Sequence, residues 1–327
     1  MNLLKKPGCL GWVVACLLAA SVRAAPVEEP AVLQTATGAL HGTLLMPADT
    51  MQPPVVLIHP GSGPTDRDGN NPAFRGPNDS LRQLAEGLAA AGVASLRVDK
   101  RGIAGSRAAG PAREEEMRFG MFVDDVVLWA RHVRETGRFS RVVLAGHSEG
   151  ALIVSEAART EAPDGLVLMA GMGRSMGVVL REQLAGRLPP PLAANAEKIL
   201  AGLERGETSA DVPAPLASLF RPSVQPYLVS VIGVDPVASV AASSCPVLVV
   251  QGETDLQVKP ADARLLAAAR PAGVTLVLLD GANHLFKPVS GDLAAQLPSY
   301  GRPDPAIDPR LIAAVARFAA APSATAP

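Results

Sequence analysis

Cysteine, aromatic residues and surplus charge are all scarce in this 327-residue chain, and each shortage removes a class of protein. Of three cysteines, Cys9 and Cys16 fall in the first 24 residues, so Cys245 is the one thiol beyond them. No intramolecular disulfide can staple the remainder, even in an oxidising compartment. Cys245 precedes Pro246 at the mouth of an apolar run, where a buried structural thiol is expected. The net charge of −1 provides no basic surplus for nucleic acid. No apolar stretch reaches the roughly 20 residues of a membrane-spanning helix. Aromatics are only 3%, yet hydrophobic residues make up 48% and Gly and Pro 30 each, which excludes a disordered or fibrous chain. A compact, small-residue-rich globular protein is expected, of one large domain or two small ones.

The opening "MNLLKKPGCLGWVVACLLAASVRAAPVEEP" holds two lysines, an apolar run from Cys9 to Ala20, and Val22-Arg23-Ala24 ahead of Ala25. That order is a secretory signal peptide, residues 1–24, and predicts a periplasmic or secreted protein with no stable membrane insertion after cleavage. Val13-Val14-Ala15-Cys16 resembles a lipoprotein cleavage box, which would leave a lipidated Cys16, but it lies inside the apolar run. Loss of Lys5, Lys6 and Arg23 leaves 27 basic against 31 acidic residues, a net charge of −4.

Beyond the leader, "TATGALHGTLLMP" alternates as two small antiparallel strands do. Near-continuous apolar runs follow at Val55–His59, Val93–Val98, Val142–Ala145, Leu166–Ala170, Val247–Gln251 and Val274–Leu279, the pattern of buried parallel strands. Helical spacing appears between them at Ser80–Ala91, Phe119–Glu135, Glu149–Arg159, Ala261–Arg270 and Pro309–Ala320. The alternation predicts an α/β fold in residues 25–327, a mostly parallel sheet with helices on both faces. About 75 residues separate the fourth and fifth runs, too long for a bare connection, so a helical cap inserted at about 173–242 is expected. No internal repeat appears, and the closing "APSATAP" reads as a frayed tail.

A serine hydroxyl becomes a nucleophile only when a base takes its proton, and a sharp strand-to-helix turn between small residues exposes it. Gly146-His-Ser-Glu-Gly150 fits that G-x-S-x-G pattern, and so does Gly173-Arg-Ser-Met-Gly177. Strand counting separates them. In the α/β-hydrolase layout one strand intervenes between nucleophile and acid, and the histidine comes last. From Ser148, Leu166–Ala170 intervenes and the next run delivers Asp255 in "GETD", whereas from Ser175 no strand intervenes. His284 is the one histidine after Asp255 and follows the last run. Asp280 and Glu253 are rival carboxylates, the first on the loop of His284 and the second too early. The oxygen that becomes negative during acyl transfer needs two N–H donors. Glu149, next after the nucleophile, supplies one; Ser62, with Gly63 as alternative, supplies the other from "HPGSGPTDRDGN". Asp66-x-Asp68-Gly69-Asn70 begins like a calcium loop, but Pro77 stands at its twelfth position in place of glutamate.

These segments, with "LAEGLAAAGVASLRVDKRGIAGS", "PVLVVQGETDLQV" and "GANHLFK", resemble bacterial α/β-hydrolases of the esterase and serine aminopeptidase type. The resemblance implies Ser148 as nucleophile, Asp255 as acid and His284 as base, without metal or organic cofactor. It also implies that Arg97, Asp99, Lys100 and Arg101 form a structural charged knot, and that His59 positions its loop. The expected activity is hydrolysis of small-molecule acyl esters through an acyl-enzyme, with a cap pocket of Leu, Val, Ala and Pro beside Phe220 and Tyr227 that suits short or medium acyl groups. A peptidase or thioesterase of the same fold is the alternative within hydrolases, and a non-catalytic periplasmic binding protein is the alternative of another class.

Overall fold

The computed structural model describes residues 25–321, so the leader and its cleavage point before Ala25 lie outside the described residues. Eight strands form one sheet: β1 (Val27–Thr35), β2 (Gly38–Met46), β3 (Val55–His59), β4 (Ala94–Val98), β5 (Val142–His147), β6 (Gly165–Met169), β7 (Val247–Gly252) and β8 (Val274–Leu279). Their spatial order is β1-β2-β4-β3-β5-β6-β7-β8. β3 to β8 run parallel, while β1 and β2 form an antiparallel hairpin joined to β4 through β2. The hairpin starts earlier than the alternating stretch suggested, because "VEEPAVLQT" also pairs. Pro30 is tolerated there since β1 is an edge strand, whose outward N–H positions need no partner.

Helices α1 (Ser80–Ala90), α2 (Phe119–Glu135) and α3 (Glu149–Ala157) connect the central strands. Alternate strand residues face opposite sides, and both sides are covered. Val56 and Ile58 of β3 pack with Leu84 and Leu88 of α1 and with Leu311 and Val315 of the closing helix, whereas Val55 and Leu57 pack with Val126 of α2 and Leu152 of α3. That double burial is why these strands read as unbroken apolar runs. Each fully buried Val, Leu or Ile contributes roughly 1.5–3 kcal/mol.

Between β6 and β7 the chain forms α4 (Met176–Leu184), α5 (Pro190–Glu204), α6 (Ala217–Phe220), α7 (Gln225–Val231) and α8 (Pro236–Ala242). The chain finishes with α9 (Pro260–Ala267) before β8, then α10 (Leu293–Gln296) and α11 (Pro309–Ala320). Polar contacts hold the inserted helices to the body: Ser230 Oγ accepts the Phe119 N–H at 2.9 Å, and Arg221 and Ser223 both bond Glu114. Among the described residues no single helix is long and apolar enough to cross a membrane. Cys245 is buried and free, its thiol pushed up to about 11 by desolvation, which keeps it protonated and unreactive.

Candidate active site

The carboxyl edge of the parallel strands gathers the residues singled out in the sequence. Ser148 stands between β5 and α3 at φ 55°, ψ −121°, a strained backbone for a residue with a side chain. Both flanking glycines are required by close backbone approach. A Cβ on Gly146 would lie 2.1 Å from the Gly150 oxygen, and one on Gly150 would lie 2.6 Å from the carbonyl oxygens of His59 and Pro60. The turn therefore folds back on itself and against the loop after β3, leaving Ser148 partly open to solvent. Ser175 also precedes a helix, α4, but on ordinary backbone, φ −55°, ψ 151°, and Gly173 is small because it abuts the backbone of Asp262.

Asp255 follows β7 and His284 follows β8, and the two loops touch because Gly252 leaves room for the carbonyls of Ala282 and Asn283. His284 Nδ1 donates to Asp255 Oδ2 at 2.7 Å. The same oxygen accepts from Gln251 Nε2 at 2.9 Å, and Oδ1 accepts the N–H groups of Gln257 and Val258 at 2.7 and 3.0 Å. Burial works against the ionised carboxylate, but His284 and these donors outweigh it and hold its pKa below the usual range. Asp255 thus stays charged and fixes the proton on Nδ1. Asp280 and Glu253 are exposed, and neither side chain bonds His284.

Several residues that steady His284 escaped sequence reasoning. His147 Nε2–H donates to the His284 carbonyl at 2.8 Å, and the two rings lie 4.8 Å apart. Desolvation, then the neighbouring His284, lowers His147 to about 4, so it is neutral. Asn283 Oδ1 accepts the N–H groups of Leu285 and Lys287, closing a tight loop around His284. The buried Lys287 ammonium in turn holds the carbonyls of Asn78, Arg302 and Pro303. No local pattern announces such contacts, except that "NH" after an apolar strand suits a tight turn.

The loop after β3 brings its own backbone to the serine. A Cβ on Gly61 would lie 3.2 Å from Ser148 Cβ. His59 is buried and donates from Nδ1 to the Pro60 carbonyl at 3.0 Å; burial first, and Lys100 second, lower it to about 3. Among the described residues the N–H groups of Ser62, Gly63 and Glu149 have no acceptor within the protein. Farther along this loop Asp66 Oδ1 accepts the N–H groups of Asp68 and Asn70, and Asp68 pairs with Arg97. Arg67 pairs with Asp99 and Arg101 with Asp125, so Arg97, Asp99 and Arg101 are each in an ion pair, but with separate partners rather than with one another. Lys100 is in no such pair among the described residues. Its Nζ donates to the carbonyls of Gly61 and Gly63, the latter at 2.6 Å, and it has no carboxylate partner. Desolvation lowers its pKa to about 8, with Glu149 opposing the shift.

A cavity of about 430 Å³ begins at Glu149 and at Gly63–Pro64, an ordinary size for a small-molecule pocket. Ile103, Met117, Phe122 and Val224 supply apolar wall, and Tyr227 closes it from α7 by donating to Glu149 Oε1 at 2.7 Å. The aliphatic lining expected from the sequence needs correction: Lys100, Arg101, Arg107, Glu114 and Arg221 also reach the cavity. Phe220 is absent from it, being fully buried within the inserted helices. Helical period places an aromatic on a buried face without saying whether that face meets a cavity or a core.

The fold matches known α/β hydrolases. Est1E from Butyrivibrio proteoclasticus, solved with ferulic acid bound, superposes with a TM-score of 0.53 at 18% identity over 85% of this chain and 96% of that one. GrgF from Penicillium sp. sh18 superposes with a TM-score of 0.52 at 21% identity, covering 79% and 91%. In sequence, the esterase EstD of Thermotoga maritima is 29% identical over 271 residues, 81% of this chain, and the chain spans 61% of that relative's length. The profile of the family described as serine aminopeptidase, S33, matches residues 79–286, from the residue before α1 to the loop of His284. With that match running across more than half of the sequence and the sheet topology in agreement, the chain belongs to the serine aminopeptidase S33 family of α/β hydrolases.

Proposed function

We propose that the protein is a serine hydrolase that cleaves carboxylic esters with short to medium acyl groups, with Ser148 as nucleophile, His284 as base and Asp255 as acid. The observation that carries this reading is the buried Asp255–His284 pair, which loads the proton onto Nδ1 and leaves Nε2 with a lone pair. In the proposed reaction His284 Nε2 takes the Ser148 proton as Oγ attacks the ester carbonyl. The carbonyl oxygen becomes negative and is met by the N–H groups of Glu149 and Ser62. Collapse expels the alcohol, which receives the proton from His284. Water then repeats the sequence on the acyl-enzyme and releases the acid.

The likeness to an esterase supports the substrate class, and a cavity with substantial apolar wall supports a compact acyl or alcohol group. The test is steady-state kinetics on p-nitrophenyl esters of graded chain length, beside acyl thioesters and aminoacyl amides. Highest kcat/KM on esters of about two to eight carbons supports the reading; highest kcat/KM on aminoacyl amides assigns a peptidase instead. Absence of Ser148-dependent turnover on all three would favour a binding role. We also propose export with cleavage before Ala25, supported by the order of charged, apolar and small residues in the leader. Intact-mass measurement of the exported protein tests it, and a chain beginning at a lipidated Cys16 would overturn it.

A further inference from the structure

We propose that Lys100 is a positioning residue that holds the Gly61–Ser62 peptide so that the Ser62 N–H serves the oxyanion; this rests on the hydrolase reading above. Lys100 lies just past the end of β4, beside β3, so its side chain reaches the loop that follows β3. It is 3% exposed, and two of its three N–H donors go to the Gly61 and Gly63 carbonyls. In a trans peptide the C=O and the next N–H lie in one plane and point in opposite directions. Drawing the Gly61 carbonyl toward Lys100 therefore turns the Ser62 N–H away from Lys100. The same peptide abuts Ser148, as the 3.2 Å approach of a Gly61 Cβ requires.

The flanking residues explain why a clamp is needed. The Gly61–Ser62 peptide has glycine on one side, whose backbone rotates with little steric resistance, so only Ser62 limits its orientation locally. A flipped peptide would present a carbonyl oxygen where the negative oxygen forms. An ammonium suits the task better than a neutral donor because charge-assisted hydrogen bonds are roughly twice as strong. A carboxylate partner would compete with the carbonyls. The nearby Glu149 is occupied instead by the Tyr227 hydroxyl at 2.7 Å. The two arginines of the "RVDKRG" segment pair with acids, which sets Lys100 apart within it as the cation spent on backbone.

The experiment compares wild type, Lys100→Met and Lys100→Gln on a p-nitrophenyl ester, with thermal unfolding of each. It adds inhibition by a trifluoromethyl ketone, which forms an oxyanion on the serine, and by the matching methyl ketone, which binds as the neutral carbonyl. For Lys100→Met, kcat should fall on the order of 10²–10³-fold, the effect of one oxyanion donor, with KM within about threefold. Affinity for the trifluoromethyl ketone should fall in parallel, and that for the methyl ketone should hold. Lys100→Gln, which keeps two N–H donors without the charge, should fold even where the methionine variant does not and should lie between the two in kcat. Retention of kcat within about fivefold in a folded variant, or equal loss of affinity for both ketones, overturns the clamp while leaving the hydrolase reading intact. A wild type without Ser148-dependent turnover overturns both.

Discussion

Replacing Asp255 with Asn tests the assignment of the acid most directly, because all four contacts of its carboxylate are donors. Oδ1 accepts two backbone N–H groups, and Oδ2 accepts from Gln251 and His284. An asparagine must turn its NH₂ toward one of these sides. Backbone N–H groups cannot become acceptors, so the amide oxygen stays on the Gln257–Val258 side and the NH₂ faces His284. Gln251 cannot simply flip to accept, because its Nε2 also donates to the carbonyls of Gly252 and Val258 at 3.2 and 3.1 Å, so the new donor leaves His284 as the group that must yield. His284 can accept only by giving up the proton on Nδ1 and carrying it on Nε2. That tautomer has no lone pair left to take the Ser148 proton. The expected loss in kcat is on the order of 10⁴, about 5 kcal/mol in the barrier, as for the same exchange in serine proteases. KM should change little, because Asp255 does not line the cavity. The assay is steady-state ester hydrolysis at pH 8, with thermal unfolding to show that the variant is folded. Asp280→Asn serves as control: its side chain is exposed, and kcat should stay within a few-fold. A folded Asp255→Asn within tenfold of wild type, or a crippled Asp280→Asn, would refute the assignment.

A fluorophosphonate probe should label Ser148, and Ser148→Ala should lose both labelling and turnover while Ser175→Ala keeps both; the reverse pattern would move the nucleophile to α4. Gly146→Ala should cost roughly 1–3 kcal/mol and abolish activity, because its Cβ meets backbone at 2.1 Å, whereas Gly120→Ala, with open space around it, should be neutral or slightly stabilising in urea unfolding. Acid should destabilise the fold through His147: its folded pKa of about 4 lies below the ordinary 6.5, so the unfolded chain binds the extra proton between those values and stability falls as pH drops through that window. Relative to His147→Gln, the wild type should lose about 2 kcal/mol more between pH 6.5 and 5; equal losses would show that the ring is protonated in the native protein.

The strand runs and the placing of Ser148, Asp255 and His284 on loops that follow parallel strands were legible in the sequence because each depends on local period and on counting. A strand buried on both faces must be apolar throughout, as Val55–His59 and Val142–His147 are. A loop at the end of each parallel strand must then emerge on one edge of the sheet. What the glycines at 146 and 150 avoid, and which of two G-x-S-x-G turns carries strain, were decided by backbone approach across the sheet. The same holds for His147 reaching the carbonyl of residue 284, for Phe220 turning into a core, and for charged side chains entering the cavity. Lys100 shows the division most clearly. Sequence alone set it in a charged segment with Arg97, Asp99 and Arg101, and only the pairing of β4 beside β3 decided that this ammonium meets carbonyls 37 and 39 residues away while the two arginines meet acids. Period and composition act along the chain, whereas the partner of a buried charge is chosen through space, where desolvation makes an unsatisfied choice costly.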